Sequence, residues 1–206
     1  MGLSNIIFIV VFSFSIFFFC RNLLRIISNI RLGRDINRSD RPIDRWKNMF
    51  RVALGQSKMT RRPIAGILHI IIYVGFIIIN IEVLEIIIDG CFGTHRFLSY
   101  ILSPNLYSFL IGSFEILALL VLIACFIFLI RRNVIKIKRF WSDEMTHWPR
   151  TDANLILVFE ILLMCAFLIM NATDGILQSS HEYYVQVGTF PVSQLLIPFL
   201  NDLDIY

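Results

Sequence analysis

The chain of 206 residues has no CxxC pair and no closely spaced run of cysteines; Cys20, Cys91, Cys125 and Cys165 are isolated from one another. That spacing excludes the usual ligation of an iron–sulfur cluster or a zinc ion by this chain alone. Charge is scarce as well, at 17% of residues against 57% hydrophobic, with 19 phenylalanines. A water-soluble domain does not carry so few charges in such long apolar blocks. No hydrolase nucleophile motif and no phosphate loop is visible. The lack of an internal repeat speaks against a secondary transporter, a class usually built from duplicated halves. The segment 172–206 contains no Lys or Arg. Nor is the first apolar stretch a typical secretory signal: it lacks a basic n-region and ends in Arg21 and Arg25 instead of small residues.

What remains is four apolar stretches, at about 5–30, 63–89, 105–130 and 151–171. Each matches the ~20 residues that cross a bilayer. The expected fold is all-α: one integral membrane helical bundle over 1–206, with loops 31–62 and 131–150 and a tail from 172. Three of the four cysteines fall inside apolar helices, where a small buried thiol is the ordinary reading. Gly90, Gly93 and Pro104 mark a loop over 90–104, and Thr151 or Asp152 suits an N-cap. After Pro42, the residues Trp46, Met49, Phe50, Ala53 and Leu54 recur at helical spacing. Two readings of that stretch stay open, a helix lying on the membrane surface or docking onto a partner, and a solvated loop.

The two loops hold sixteen of the nineteen Lys and Arg residues. The positive-inside rule places both in the cytoplasm and the N-terminus, the 90–104 loop and the tail outside. The basic surplus is thereby a topology signal and not a nucleic-acid surface.

The second span carries the main chemical clue, because polar groups at bilayer depth are functional candidates by default. His69, Tyr73, Phe76 and Asn80 share a stripe, and Glu82, Glu85 and Asp89 gather toward the other end. His69 lies about 9 Å into the span at 1.5 Å per residue. It can be a satisfied structural histidine, a haem ligand with Gly66 and Ala65 making room for the ring, or a proton relay. Glu82 and Glu85, with Glu115 on the third span and His95 in the loop beside Arg96, are the candidates for quinol and proton handling, since a carboxylate can accept a proton released on quinol oxidation. Helix–helix hydrogen bonding is the plainer reading of the same groups. Arg61 and Arg62 can pair haem propionates or simply anchor the helix end. Asp89 reads as a solvated helix end, Asn80, Asn171 and Asp174 as packing or capping groups, and His147 and His181 as non-ligands.

Several runs carry a resemblance: ALGQSKMTRRPIAGILHIIIYVGFIIINIEVLEIIIDG, GTHRFL, GSFEILALL, RRNVIKIKRFW and WPRTDANLIL. They resemble the N-terminal membrane part of bacterial (Fe-S)-binding oxidoreductases of the heterodisulfide-reductase-like or glycerol-3-phosphate-dehydrogenase-C-like kind. That part is similar to the gamma, cytochrome b, subunit of respiratory nitrate reductase. The resemblance spans roughly residues 20–200. It implies a five-helix anchor in the bacterial cytoplasmic membrane with haem b bound by histidines of the second and fifth helices, quinone as electron partner and a cytoplasmic iron–sulfur domain. On this sequence only His69 matches a haem ligand. The second axial ligand, the fifth helix and the cluster cysteines are expected from another segment or polypeptide, hence a hetero-oligomeric complex. A cofactor-free anchor that recruits a cytoplasmic redox partner is the alternative of a different class.

Overall fold

The computed structural model describes residues 2–34, 39–57, 59, 62–143 and 148–200, and among them there is no strand. In chain order the helices are α1 (Leu3–Arg31), α2 (Pro42–Met49), α3 (Pro63–Phe92), α4 (Pro104–Leu129), α5 (Trp148–Ser180) and the short α6 (Ile197–Leu200). A π-helical turn, Ile130–Val134, prolongs α4. Four of these, α1, α3, prolonged α4 and α5, are long and apolar enough to cross a membrane.

Local chemistry sets the boundaries. Pro63 and Pro104 open α3 and α4, where a missing N–H costs nothing. Gly93 ends α3 in a left-handed conformation, φ 72°, with its N–H donating to the Asp89 carbonyl at 2.8 Å. Gly90 does not break the helix as expected. Its absent side chain makes room for α1, since a Cβ there would sit 2.5 Å from the Phe8 ring. Helix α5 starts at Trp148, ahead of Thr151 and Asp152, and runs on to Ser180. Apolarity stops near Met170, but Asn171 and Asp174 are buried and α5 continues through them into the bundle's polar end. The stretch after Pro42 is helical and not a loop, and neither α2 nor the turn Phe50–Leu54 buries a residue.

Helix α4 is the centre, packed between α3 and α5. Its buried residues Tyr107, Ile111, Phe114, Ala118, Val121 and Cys125 alternate four and three apart, which makes one continuous stripe. Gly75 of α3 admits Val121, whose Cγ2 lies 2.5 Å from where a Cβ would be. Helix α1 is peripheral. It buries no residue and is held to α3 near one end, where Asn5 Nδ2 donates to the Gly90 carbonyl at 3.1 Å.

The up-and-down order gives the bundle two unlike ends. At the basic end Arg132 reaches the carbonyls of Pro149 and Arg150, and Trp141 Nε1 donates to the Arg132 carbonyl at 3.0 Å. The Arg150 guanidinium lies 4.0 Å above the Trp141 ring and joins α4 to α5 there. The opposite, polar end gathers the N-terminus, the 93–103 loop and the segment 181–200.

Candidate functional site

The polar end is organised by one arginine. Asp89, expected to be a solvated helix end, instead shapes the loop. Its carboxylate accepts the Thr94 hydroxyl and the backbone N–H groups of Arg96, at 2.8 Å, and Phe97, at 3.2 Å. These bonds hold Arg96 at φ 56°, a left-handed conformation that costs a non-glycine residue roughly 1–3 kcal/mol and persists only when its surroundings enforce it. The side chain is thereby turned inward, and only 6% of Arg96 remains exposed.

Inside, its donors find acceptors on two helices, α3 and α5. Nη1 donates to Glu82 Oε1 at 2.8 Å, Nη2 to Asn171 Oδ1 at 2.8 Å and Nε to Asp174 Oδ2 at 2.9 Å. The guanidinium also lies 5.5 Å from the Phe190 ring centre. Burial opposes the charge on Arg96, and the carboxylates of Glu82 and Asp174 outweigh it, so its pKa is held above the ordinary arginine value. Arg96 is therefore a fixed cation joining α3 to α5.

His95, its neighbour, is bonded at both ring nitrogens. The Val185 N–H donates to Nδ1 at 3.1 Å, and Nε2 lies 2.7 Å from Asp174 Oδ1. An imidazole nitrogen that accepts an N–H carries no proton, so in this arrangement the proton sits on Nε2 and is donated to Asp174. Gln178 donates to the other oxygen of Asp174 at 3.0 Å. Tyr184 meets the His95 ring edge-on at 4.8 Å between centroids.

These groups line a cleft of about 510 Å³ between α1, α3 and α5. Its polar wall includes Glu85, Thr94, His95, Arg96 and Asp174, and its apolar wall Phe8, Ile86, Met170 and Leu177. Tyr183 and Tyr184 stand at its rim. Apolar walls with a few convergent polar groups on one side are the arrangement that binds and orients a small organic ligand.

The acids of α3 and α4 continue inward from the polar wall, with Glu85 in the wall and Glu82 and Glu115 beyond it. Glu85 Oε1 accepts the Leu98 N–H at 2.8 Å, and the Tyr107 hydroxyl is 3.1 Å from both Glu85 oxygens. Glu115 Oε2 accepts the N–H groups of Val192 and Ser193, at 2.9 and 3.1 Å, and so ties the tail to α4. Glu82 Oε2, Glu115 Oε1 and Asn171 Nδ2 are buried without a hydrogen-bond partner among the described residues.

Of the residues singled out in the sequence, Glu82, Glu85 and His95 meet here around Arg96. Glu115 is buried too, but it bonds to the tail instead of the cleft. His69 stands apart on α3, about 24 Å along the helix from Glu85 at 1.5 Å per residue. It is half-buried with no hydrogen-bond partner among the described residues. Arg62 is exposed as the residue preceding α3, while Arg61 and His147 lie outside the described residues. Sequence reasoning passed over Arg96, Tyr107, Asn171 and Asp174 as site residues. Two clues existed: Arg96 is the single basic residue of its loop, and Asn171 and Asp174 are three apart, on one face of a helix.

A haem needs an axial donor on each side of its iron, or one and an open position. His69 supplies one imidazole, and no second histidine stands at its depth among the described residues, where no group of three or more His, Cys, Asp or Glu could hold a metal ion. The described residues thus do not complete a two-histidine haem site. No protein family, curated protein or solved structure matches the chain.

Proposed function

We propose that this chain is the membrane subunit of an electron-transfer complex and that the cleft at its polar end takes the ring of a membrane quinol or quinone. The observation that carries this reading is the Asp174–His95 pair in the wall of a cleft rimmed by tyrosines and bordered by lipid-facing helices. Quinol oxidation releases two protons, and a carboxylate beside the hydroxyl is what accepts one. Asp174 Oδ1 is bonded to a single donor, so one of its lone pairs is open to a quinol hydroxyl. Arg96 holds Asp174 in place, and the neutral His95 fixes its orientation. In this reading the charge of the loops supports a polar end that faces outward and a basic end that faces inward, with the chain in a bacterial cytoplasmic membrane and an iron–sulfur partner against the basic end.

Haem b with His69 as one axial ligand would supply one-electron transfer between the two ends. Its second ligand then comes from outside this chain, and the proposal places no proton step there. Arg61 and Arg62 remain the propionate candidates of this reading.

The test is binding of a fluorescent hydroxyquinoline quinol analogue to the purified chain in lipid. Asp174→Asn and His95→Phe are expected to weaken binding at least about tenfold, the equivalent of ~1.4 kcal/mol, while His69→Ala leaves it intact. Unchanged binding in both cleft variants refutes the assignment. A second reading, an anchor without cofactor, is favoured by the closure of the Arg96 network, each nitrogen of which already has a partner. It expects no saturable analogue binding at all.

A further inference from the structure

Exposed Leu, Ile and Phe on a helix in lipid need no explanation, because lipid tails are as apolar as they are. Ionisable groups at that depth do. Among the described residues, Arg21 and Arg25 of α1 and Glu160 of α5 lie inside the spans without a hydrogen bond or ion pair, and Arg21 is the deeper of the two cations, ten residues from the end of α1 against six for Arg25. Glu160 lines a second cleft, of about 490 Å³, walled by Phe76, Asn80 and Val83 of α3 and by Leu163, Ala166 and Phe167 of α5. This cleft shares Ile86 and Met170 with the upper one, so the two form one groove along α3 and α5. Phe8 of α1 roofs the upper part, and no α1 residue lines the lower.

Arg21 and Glu160 lie at matching depth. Phe8 and Asp174 both line the upper cleft. From Phe8 to Arg21 is about 20 Å along α1, and from Asp174 to Glu160 about 21 Å along α5, at 1.5 Å per residue. They do not face each other within one chain. At about 100° per residue, Arg21 falls roughly 140° around α1 from Phe8, the residue that grips α3. Arg21 therefore points away from its own bundle, on a flank it shares with the exposed Phe14, Phe17 and Phe18.

The groove at this level offers acceptors. Asn80 spends its Nδ2 on the Phe76 carbonyl, which leaves Oδ1 free beside the Glu160 carboxylate. The occupant must bring donors, and an arginine brings five with no acceptor. Two copies inserted in one membrane share orientation, so equal depth is enough to align the groups. We propose that the chain forms a two-fold dimer in which α1 of each copy seats in the lower α3/α5 groove of the other, with Arg21 against the partner's Glu160 and Asn80. The axis runs along the membrane normal, both grooves fill at once, and the interface closes without extending to a fibre. This proposal is independent of the quinol reading.

The test uses the whole chain, labelled separately with donor and acceptor fluorophores and reconstituted in phosphatidylcholine–phosphatidylglycerol vesicles at rising lipid-to-protein ratios. Wild type is expected to show energy transfer that dilution into lipid reverses. R21E and E160R, each alone, are expected to lower the association constant at least about tenfold, because each homodimer then sets like charges together. Mixing R21E copies with E160R copies is expected to restore association, since both interfaces of the mixed dimer regain an opposite pair. E160Q, with helicity measured by circular dichroism, serves as the milder variant that keeps volume and fold. A wild type that is monomeric throughout, or single reversals that associate normally, or a mixture no better than its parts, overturns the proposal. Loss in E160R without loss in R21E also overturns it, and points to another protein's helix in the groove.

Discussion

Replacing Arg96 by methionine keeps most of the side chain's volume and removes its charge and donors. Asp174 keeps His95 and Gln178 as donors. Glu82 keeps none, because Oε1 is bonded to Arg96 and Oε2 has no partner, with the residue 0% exposed. Breaking a buried ion pair from one side typically costs about 3–5 kcal/mol, since the remaining charge is left uncompensated. Against a total stability of roughly 5–15 kcal/mol, that is a large share. At about 2–4 °C per kcal/mol for a chain of this size, the apparent melting temperature falls by roughly 10 °C. Cys125 is buried and reports opening of the bundle to a thiol-reactive dye, once Cys20, Cys91 and Cys165 are replaced by serine. Arg96→Lys keeps the charge but loses the planar fork that reaches Glu82, Asn171 and Asp174 together, and falls between the two. The double variant Arg96→Met with Glu82→Met removes the stranded carboxylate and is expected to melt above the single one. A single variant within about 1 kcal/mol of wild type refutes the account of Arg96 as the tie between α3 and α5, and so does a double variant that is worse than the single.

Further expectations follow from other contacts. Tyr107→Phe removes the hydroxyl that serves both oxygens of Glu85 and is expected to cost about 1–3 kcal/mol in the same melting assay. Gly75→Val places methyl groups where Val121 stands and is expected to cost roughly 1–3 kcal/mol, with partial rescue by Val121→Ala. If the chain carries the haem b proposed above, its band in a reduced-minus-oxidised spectrum of the co-purified material is expected to vanish in His69→Ala and to persist in His147→Ala and His181→Ala. Haem that survives the first of these substitutions removes His69 as ligand.

The sequence by itself determined the four spans. Hydrophobic length is a local property, and a run near the bilayer thickness leaves a chain few alternatives to a helix. It also marked Glu82, Glu85 and His95, because polar groups stand out against an apolar background. Helix ends were less legible: Gly90 reads as a break until the Phe8 ring is seen to fill the space beside it. Only tertiary structure decided which polar residues meet. Asp174 reads as a packing or capping group, and Asp89 as a wet helix end, because nothing local shows that a left-handed turn at Arg96 aims a guanidinium between α3 and α5. That turn depends on the three groups that bond to the Asp89 carboxylate, and its target depends on two helices separated in sequence by a third. Depth and composition are written along the chain, while the partner of a buried charge is a fact about the assembled bundle.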